Sequence, residues 1–481
     1  MTLSYKKAGK SGGDYYLNHS SEVDDYYTAG EKEPPGVWYV APNSFGQRNT
    51  LLGITDGLSF AGVDSKKFAA LTAGRHPEIG EKLVQNADQK NRVALHDFTL
   101  SPPKSVSVIW SQAGDKVKGR IEDIQNEAAR EFLDYISVHA VTRQGKAGVI
   151  HKSALVRGAM FSHGSSREND PQLHTHCVVM NVVELEDGST GALENREMLR
   201  WQGAAASLYH ADLAYKLGKE GFPIRKVKNL FEIDGVPDEV MKDFSQRRVA
   251  ILKAVEAEMA SRGLDASQAS RGLLQKATIE TRQEKTEMSR YELEGIWKER
   301  GKALGFSEEQ VNEIIDSESF TELSREECLE QVRESAYQIL QGKAVFGEPE
   351  LVAKAASAMI GKASRSQILE AVSDLKGELL VCHGEHSRDT VFTSREMVAL
   401  EHEMLQLAER RNGSHVIENF ELPASLSEEQ RIAAEATLRD ENDVTVVEGS
   451  AGAGKTFTMA SVARAYERNG YRVVGLATAW T

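Results

Sequence analysis

The sequence lacks long apolar runs. No stretch of its 481 residues approaches the 18 or more apolar residues of a membrane-spanning helix, so membrane insertion is not expected. The beginning, MTLSYKKAGKSGG, has no apolar core of the kind found in signal peptides, which argues against export by that route. Cysteine is also scarce, and its scattered spacing excludes a disulfide scaffold and predicts a reducing, cytoplasmic location. The three cysteines are Cys177, Cys328 and Cys382.

The remaining composition is that of a globular protein, with 40% apolar and 27% charged residues and a length that allows roughly two to four domains. The net charge of −14 argues against a nucleic-acid partner for the chain as a whole. However, residues 1–235 hold 28 basic and 29 acidic side chains, whereas residues 236–481 hold 30 and 43. The first half is therefore free to form a local basic groove.

The first 235 residues alternate strand and helix patterns, which predicts a mixed α/β domain. We expect strands at Arg92–Leu100, Gly148–Phe161 and Leu173–Leu185, and a helix at Val117–Val138. The last two strands are joined by GSSRENDPQ, which is rich in turn formers, so we expect them to pair antiparallel. A charged helical region follows, and then a second α/β segment.

A glycine-rich loop lies near the carboxyl end of the sequence. GSAGAGKT matches the phosphate-binding motif GxxxxGK[ST] and follows a predicted strand at Val444–Val447. Its backbone N–H groups would hold phosphates, its lysine would reach the β and γ oxygens, and its threonine would bind Mg²⁺. Only 25 residues follow the motif, so we expect neither ATPase nor helicase activity from this chain. The nucleotide-binding positions would be Gly449, Gly452, Gly454, Lys455 and Thr456.

Three of the 13 histidines fall within 14 residues. His174 and His176 are two apart on a predicted strand, so both side chains point to one face of the sheet. A hairpin through the preceding turn would bring His163 beside them. Three imidazoles with coordination positions to spare predict a catalytic metal site, and a structural or surface role is the alternative. Cys177 would face the other side of the strand, in the core.

Doubled tyrosines stand in a polar amino-terminal segment, SGGDYYLNHSSEVDDYYTAG. The apolar neighbours that would form a core around them are missing, so the rings are plain surface aromatics, stack on bases or act as nucleophiles, and composition alone favours the first two. A phenol with a pKa near 10 attacks poorly at neutral pH unless a base or a metal assists it. The four residues are Tyr15, Tyr16, Tyr26 and Tyr27.

Asp97 is a polar residue within the apolar strand of LHDFTLSPPKSVS. It could be a satisfied core residue, a charge at a sheet edge, or a hydrogen-bond partner that orients a metal-binding histidine. The loop that follows, with Pro102 and Pro103 before Lys104, predicts the start of a helix.

These motifs together resemble those of conjugative relaxases of the MobF class, the TrwC/TraI type of HUH endonuclease. The resemblance covers about residues 1–300 and is carried by the doubled tyrosines, VDSKKF, HDFTLSPPKSVS and, above all, HGSSRENDPQLHTH. LSEEQRIAA and the glycine loop resemble the start of the helicase that follows the relaxase in this family. The implied fold is α/β, an antiparallel-sheet palm of the HUH/relaxase type followed by a helical and mixed region and a truncated P-loop α/β domain.

The resemblance also implies roles for single residues. Tyr15 would attack the scissile phosphodiester at an origin of transfer, and Tyr26 would be the second nucleophile, used when transfer ends. Tyr16 and Tyr27 are the alternatives within each pair. Asp97 would orient a ligand histidine or take the tyrosine proton. The metal ligands would be His163, His174 and His176, and the DNA-binding residues Arg167 and Lys104.

The implied domains are a relaxase at 1–300, a helical and mixed connecting region at 301–420, either vestigially helicase-like or a docking surface, and a helicase fragment at 421–481. Cofactors would be a divalent metal, Mg²⁺ or Mn²⁺ before Zn²⁺ or Ni²⁺, and ATP only in a full-length helicase. Partners would be single-stranded or supercoiled plasmid DNA, accessory relaxosome proteins and a type IV secretion coupling protein. A bacterial protein of this kind would be cytoplasmic, or would enter the recipient with the DNA.

Two other functions compete with this one. The first is a related HUH nuclease of rolling-circle replication or transposition, although such chains usually place the histidines before the tyrosine, and here Tyr15 precedes His163. The second is a single-strand DNA-binding module whose tyrosines only stack on bases.

Overall fold

The computed structural model describes residues 3–9, 33–42, 62–145, 150–281, 288–315, 320–383, 390–411 and 413–476. Its strands are β1 Leu3–Ala8, β2 Val37–Val40, β3 Leu95–Leu100, β4 Val141–Gln144, β5 Ile150–Ser153, β6 Leu155–Ser165, β7 Pro171–Glu184, β8 Thr190–Gly191, β9 Leu193–Glu194, β10 Ile224–Val227, β11 Leu230–Ile233, β12 Phe346–Gly347, β13 Leu380–His383 and β14 Thr390–Thr393.

The helices of the described ranges are α1 Ser65–Ala73, α2 Lys104–Gln112, α3 Asp115–Ser137, α4 Asn195–Lys219, α5 Asp238–Asp243, α6 Gln246–Ser261, α7 Arg271–Glu280, α8 Arg290–Ala303, α9 Glu308–Ile315, α10 Arg325–Leu340, α11 Glu348–Ala358, α12 Arg365–Lys376, α13 Arg395–Ala408, α14 Glu428–Arg439 and α15 Lys455–Arg468. Within these ranges no helix combines the length and the apolar character needed to cross a bilayer.

The chain forms two compact units, Met1–Glu378 with Gly384–Val391 and Leu379–His383 with Phe392–Thr481. The division of the sequence at about residues 300 and 420 stays a prediction. The first unit is built on an antiparallel sheet with the strand order β1-β3-β7-β6-β2, and β8 pairs with the end of β7. The predicted α/β class with an antiparallel sheet is confirmed, and so is the predicted pairing of β6 with β7.

The two central strands, β6 and β7, are buried along nearly their whole length because both faces of the sheet are covered. On one face, helix α1 places Phe68 and Leu71 over Phe161, Val178 and Met180. That helix is fixed at both ends: the Asp64 side chain accepts the N–H of Lys67 at 2.8 Å, and Gly74 ends the helix with φ of 79°.

The other face packs on helix α3. The Cys177 thiol lies 3.8 Å from the Ala129 carbonyl, and the rings of Phe98 and Phe132 are 5.7 Å apart. Burial raises the pKa of the Cys177 thiol well above its usual value, as expected for a core cysteine. The position predicted for Cys177, opposite to the histidines, is therefore confirmed.

Helix α4 lies on α3, and α11 and α12 lie on α4. A buried polar network connects these helices to the sheet, because the Tyr209 hydroxyl donates to Gln125 Oε1 at 2.6 Å and Gln125 Nε2 donates to Thr175 Oγ1 at 3.2 Å. Asp212 of α4 accepts the backbone N–H of Arg365 at 3.2 Å, at the start of α12. The first unit thus extends well beyond residue 300.

The second unit has a small core of residues from α14, α15 and the preceding loop, namely Ile417, Ala434, Leu438, Val462 and Ala465. The strand predicted at Val444–Val447 is not formed, and that prediction is wrong. Val446 is 86% exposed, and within the described residues this segment has no neighbouring strand. β-branched residues favour a strand only where a partner satisfies their backbone hydrogen bonds.

A neutral histidine is buried in the first unit. His96 of β3 lies on the face opposite to Asp97, where the Tyr5 hydroxyl is 2.8 Å from its Nδ1. Burial, together with Lys7 and Arg92, lowers the pKa of His96 to about 4. The unfolded chain, with an ordinary histidine pKa near 6.5, therefore takes up this proton first, and stability is lost as pH falls from about 6.5 towards 4.

We expect His96→Asn, which keeps an acceptor for Tyr5, to reduce the loss of unfolding free energy between pH 7.5 and 4.5 by roughly 2–3 kcal/mol. Urea unfolding at the two pH values measures this loss. His151→Asn, on the exposed strand β5, is the control and should leave it unchanged. An equal pH dependence in wild type and His96→Asn would contradict the expectation.

Candidate metal centre

Three histidine side chains meet on one face of the β6–β7 hairpin. His163 of β6 is the cross-strand partner of His174 of β7, and His176 follows two residues later on the same face. The three ring centroids are 5.0–5.2 Å apart, and one ring nitrogen from each histidine lies within 4.8 Å of the other two. Within the described part of the chain, these three histidines form a cluster whose ring nitrogens are close enough to hold one metal ion.

Hydrogen bonds fix the tautomers of two of these rings. The His174 Nδ1–H donates to the Gln172 carbonyl at 2.8 Å, and the His176 Nδ1–H donates to the Asp97 carboxylate at 3.0 and 3.1 Å. Because a carbonyl and an ionised carboxylate can only accept, the proton sits on Nδ1 in both rings. The lone pair for a metal is then on Nε2, the arrangement usual for ligand histidines.

Asp97 reaches this ring from the neighbouring strand. It is buried on β3, where its cross-strand partner is Val178, so its carboxylate lies diagonally beside His176. Thr99 is the direct partner of His176, and its hydroxyl lies 3.2 Å from the histidine Nδ1 and 3.3 Å from Asp97 Oδ1. Of the three interpretations of Asp97, the structure supports the partner that orients a histidine.

A β-bulge at Gly164 sets the position of the first histidine. The register of β6 with β7 shifts between His163 and Ser165. The Gly164 N–H donates to Glu33 Oε1 at 3.0 Å, and a Cβ at this position would lie only 2.5 Å from Cη2 of Trp110. A side chain larger than hydrogen cannot be placed here without moving the Trp110 ring.

The turn between β6 and β7 contains Arg167 and ends at Pro171. Arg167 is half-buried in the turn. The Lys104 ammonium donates to the Pro171 carbonyl at 2.7 Å, and burial lowers its pKa to about 8. Lys104 therefore lies against the turn end of the hairpin, and its contact with DNA stays a prediction.

The four predicted tyrosines, Tyr15, Tyr16, Tyr26 and Tyr27, lie outside the described residues. The prediction also missed neighbours of the site. Thr99 carried a signal, because it is two residues after Asp97 and so shares its face of the strand. Glu33 and Trp110 carried none, since they reach Gly164 only through the tertiary fold.

The glycine loop lies in the second unit. Gly452 and Gly454 have φ of 82° and 77°, which other residues rarely adopt, and helix α15 begins directly after them at Lys455. Lys455 Nζ donates to the carbonyls of Gly449 and, at 2.9 Å, Ser450. Gln430 of α14 donates to the Ala453 carbonyl at 3.0 Å. The loop thus has left-handed glycines and a helix N-terminus, the features that hold phosphates, and Thr456 is exposed in the first turn of that helix.

The chemistry of the histidine site fits a divalent ion. Three imidazoles on one face leave coordination positions open, as in catalytic metal sites, and Asp97 accepts a hydrogen bond from one of them. Neutral imidazoles favour Mn²⁺, Ni²⁺ or Zn²⁺ by affinity, while abundance favours Mg²⁺.

Two family models match the chain. The model described as TrwC relaxase matches residues 9–304, and the model described as AAA domain matches residues 425–480. Two curated relatives called multifunctional conjugation protein TraI, from Escherichia coli and from its strain K12, are each 30% identical over 332 and 333 residues. These matches cover 66% of this chain, which spans 17% of the length of each relative.

Solved structures are similar as well. A copper-bound complex of the conjugative relaxase TrwC with oriT DNA matches with a TM-score of 0.53 and 28% identity, over 63% of this chain and 99% of that chain. A metal-bound complex of TrwC with oriT DNA has a TM-score of 0.52 at the same identity and coverage. TrwC with a 27-mer DNA comprising the recognition hairpin and the cleavage site matches at 0.51, also with 28% identity and the same coverage.

Replacing Asp97 by Asn tests the orientation of His176. The substitution keeps the shape, but it removes the negative charge and introduces an amide that can donate to Nδ1 as well as accept from it. The contact that orients His176 is then weaker, so we expect the affinity for Mn²⁺ to fall by about 10- to 100-fold. Isothermal titration calorimetry of the folded protein measures the change. Asp88→Asn, at an exposed pair with Arg75, is the control and should bind as wild type does. Unchanged affinity in Asp97→Asn would remove this role from Asp97.

Proposed function

Because this chain belongs to the TrwC relaxase family, we propose that it nicks and rejoins one DNA strand at a plasmid origin of transfer. The observation that carries the proposal is the site of three histidines, one of which, His176, is oriented by Asp97. The site lies on a fold that this chain shares with a relaxase solved in complex with oriT DNA. The reaction would start and end the conjugative transfer of a plasmid.

The proposed chemistry is transesterification. A divalent ion held by His163, His174 and His176 would polarise the non-bridging oxygens of the scissile phosphate. The phenolate oxygen of a tyrosine forms a bond to phosphorus while the bond from phosphorus to the 3′ oxygen breaks, and the departing 3′ oxygen takes up a proton. The products are a 5′-phosphotyrosine and a free 3′-OH. One phosphodiester replaces another, so the nick is reversible without ATP.

Within this scheme Tyr15 is the first nucleophile and Tyr26 the second, with Tyr16 and Tyr27 as the alternatives. The sequence supports this assignment through the order of its motifs, with paired tyrosines ahead of the histidines. An ordinary phenol has a pKa near 10, so it needs help to ionise at neutral pH. The metal ion would supply part of this help, and Asp97 would either accept the tyrosine proton or orient His176 through its hydrogen bond.

Basic side chains near the histidines would contact DNA phosphates. Arg167 lies in the turn that joins the two ligand strands, and we assign it to a phosphate contact. Lys104 would contribute a DNA contact only if its ammonium left the Pro171 carbonyl.

The finer assignments belong to the same proposal. Mg²⁺ or Mn²⁺ would be the ion used, with Zn²⁺ or Ni²⁺ as alternatives, and the protein would work in the bacterial cytoplasm with accessory relaxosome proteins and a secretion coupling protein. ATP would bind the glycine loop only in a longer helicase. We keep residues 1–300 as the relaxase, 301–420 as the connecting region and 421–481 as the start of a helicase.

A covalent adduct tests the reaction. With an oligonucleotide carrying the cognate nic sequence and Mn²⁺, we expect wild type to form a protein–DNA adduct that survives denaturation. Tyr15→Phe should reduce it by roughly 100-fold or more, because phenylalanine has no nucleophilic oxygen. Denaturing gel electrophoresis measures the adduct.

Tyr5→Phe is the matched control, since Tyr5 contacts His96 on the opposite face of the sheet. It should retain the adduct. Equal adduct in Tyr15→Phe and wild type would show that the nucleophile is another residue. Cleavage that persists after chelation with EDTA would rule out the role of the three histidines in holding a metal.

A further inference from the structure

We propose that Asp170 is a positioning residue for the histidine site, because it anchors the β6–β7 turn that determines how His163 faces His174. The inference rests on the proposed metal role of these histidines. It adds to that role a group that is not one of the three histidines.

Asp170 lies at the end of the turn, seven residues after His163 and four before His174. It is 1% exposed, and its carboxylate is held from two directions. Oδ1 accepts from Nη1 of Arg300 at 3.2 Å, and Oδ2 accepts from the backbone N–H of Gln246 at 2.7 Å. The same aspartate therefore fixes the turn to helices α8 and α6.

The backbone around Asp170 is held as firmly as its side chain. The Asp170 carbonyl accepts from the Ser166 N–H at 2.8 Å, which closes the turn. The carbonyl of the next residue, Pro171, accepts from Lys104 Nζ at 2.7 Å. Trp297 of α8 donates its indole N–H to the Asn169 carbonyl at 2.7 Å, where Asn169 has the rarely populated φ of 58°. Helices α2, α6 and α8 thus meet at this turn.

These contacts bear on the metal site through the register of the hairpin. Pro171 pairs with Ser165, and His174 pairs with His163, with the Gly164 bulge between the two pairs. A turn that shifts along the strands changes the separation of the two imidazoles. Metal ligation tolerates errors of only about 0.2 Å in ligand distance, so a small shift would already weaken binding.

Charge explains why an acid stands at this position. Burial raises the pKa of Asp170, while Lys104 and Arg300 act in the opposite direction. Replacing the acid by a neutral side chain would leave the buried Lys104 ammonium without the negative charge of Asp170, while Arg300 would keep its ion pair with Asp243. A buried cation without a counter-charge is strongly unfavourable, so the turn would rearrange around Lys104.

A purely stabilising role makes a different prediction. In that case Asp170 substitutions would lower the melting temperature, but the folded molecules would bind metal as wild type does. Asp243 provides a matched control, because it also accepts from Arg300, at 2.7 Å, but lies outside the turn with 38% of its side chain exposed.

The experiment measures Mn²⁺ affinity by calorimetry at a temperature well below each variant's melting temperature. We expect Asp170→Asn to weaken binding by about 10-fold or more, the lower end of the range known for groups that orient metal ligands. Asp243→Asn should weaken binding by less than about 2-fold. Wild-type affinity in folded Asp170→Asn would overturn the positioning role alone. A wild-type protein that binds no Mn²⁺ would overturn the metal site and the positioning role together.

A second pair of variants covers the case in which Asp170→Asn does not fold. Lys104→Gln retains an N–H donor for the Pro171 carbonyl, and Lys104→Met does not. We expect Lys104→Met to bind Mn²⁺ several-fold more weakly than Lys104→Gln. Equal affinity of the two would show that the anchoring of the turn does not reach the histidines.

Discussion

The antiparallel pairing of β6 with β7 is the constraint on which the rest of the structure depends. It sets His163 opposite His174, and because side chains alternate along a strand, a slip by one residue would move the histidines of one strand to the other face. The strand β3 then pairs with the free side of β7 and brings Asp97 to His176. A site built from two neighbouring pairs of strands needs no flexible loop to assemble it.

Strand β7 also contributes to the hydrophobic core of the first unit. On β7 the histidines share their face with Val178 and Met180, which pack under helix α1, while Cys177 points to helix α3 on the other face. The ligand side chains therefore begin where the apolar layer ends. Their positions are therefore tied to the packing of this core.

Sequence reasoning reached the parts of this arrangement that depend on local spacing. Two histidines at i and i+2 and a turn that contains Gly, Ser, Asn, Asp and Pro predicted the hairpin and the meeting of its histidines, because a strand has a fixed period of two. For Asp97 the same reasoning left three interpretations open. It could not predict that Lys104 lies against Pro171, or that Glu33 accepts from Gly164, since these contacts join segments 67 and 131 residues apart. The strand predicted at Val444–Val447 is absent for a related reason. Its local pattern favours a strand, but strand formation also requires a partner strand, which no local pattern reveals.

Buried charges mark both ends of the ligand hairpin. At the end far from the turn, Arg157 of β6 pairs with Glu184 of β7, and both side chains are 2% exposed. At the turn, Asp170 pairs with Arg300 and interacts electrostatically with Lys104. A buried ion pair contributes little net stability, but separating its partners costs about 3–5 kcal/mol because a charge is left unpaired in the interior. A shifted register of β6 against β7 would separate Arg157 from Glu184 and move Asp170 from its cations at the same time. The two ionic contacts therefore select one register among the alternatives that an apolar hairpin would allow, and that register is the one in which the three imidazoles converge.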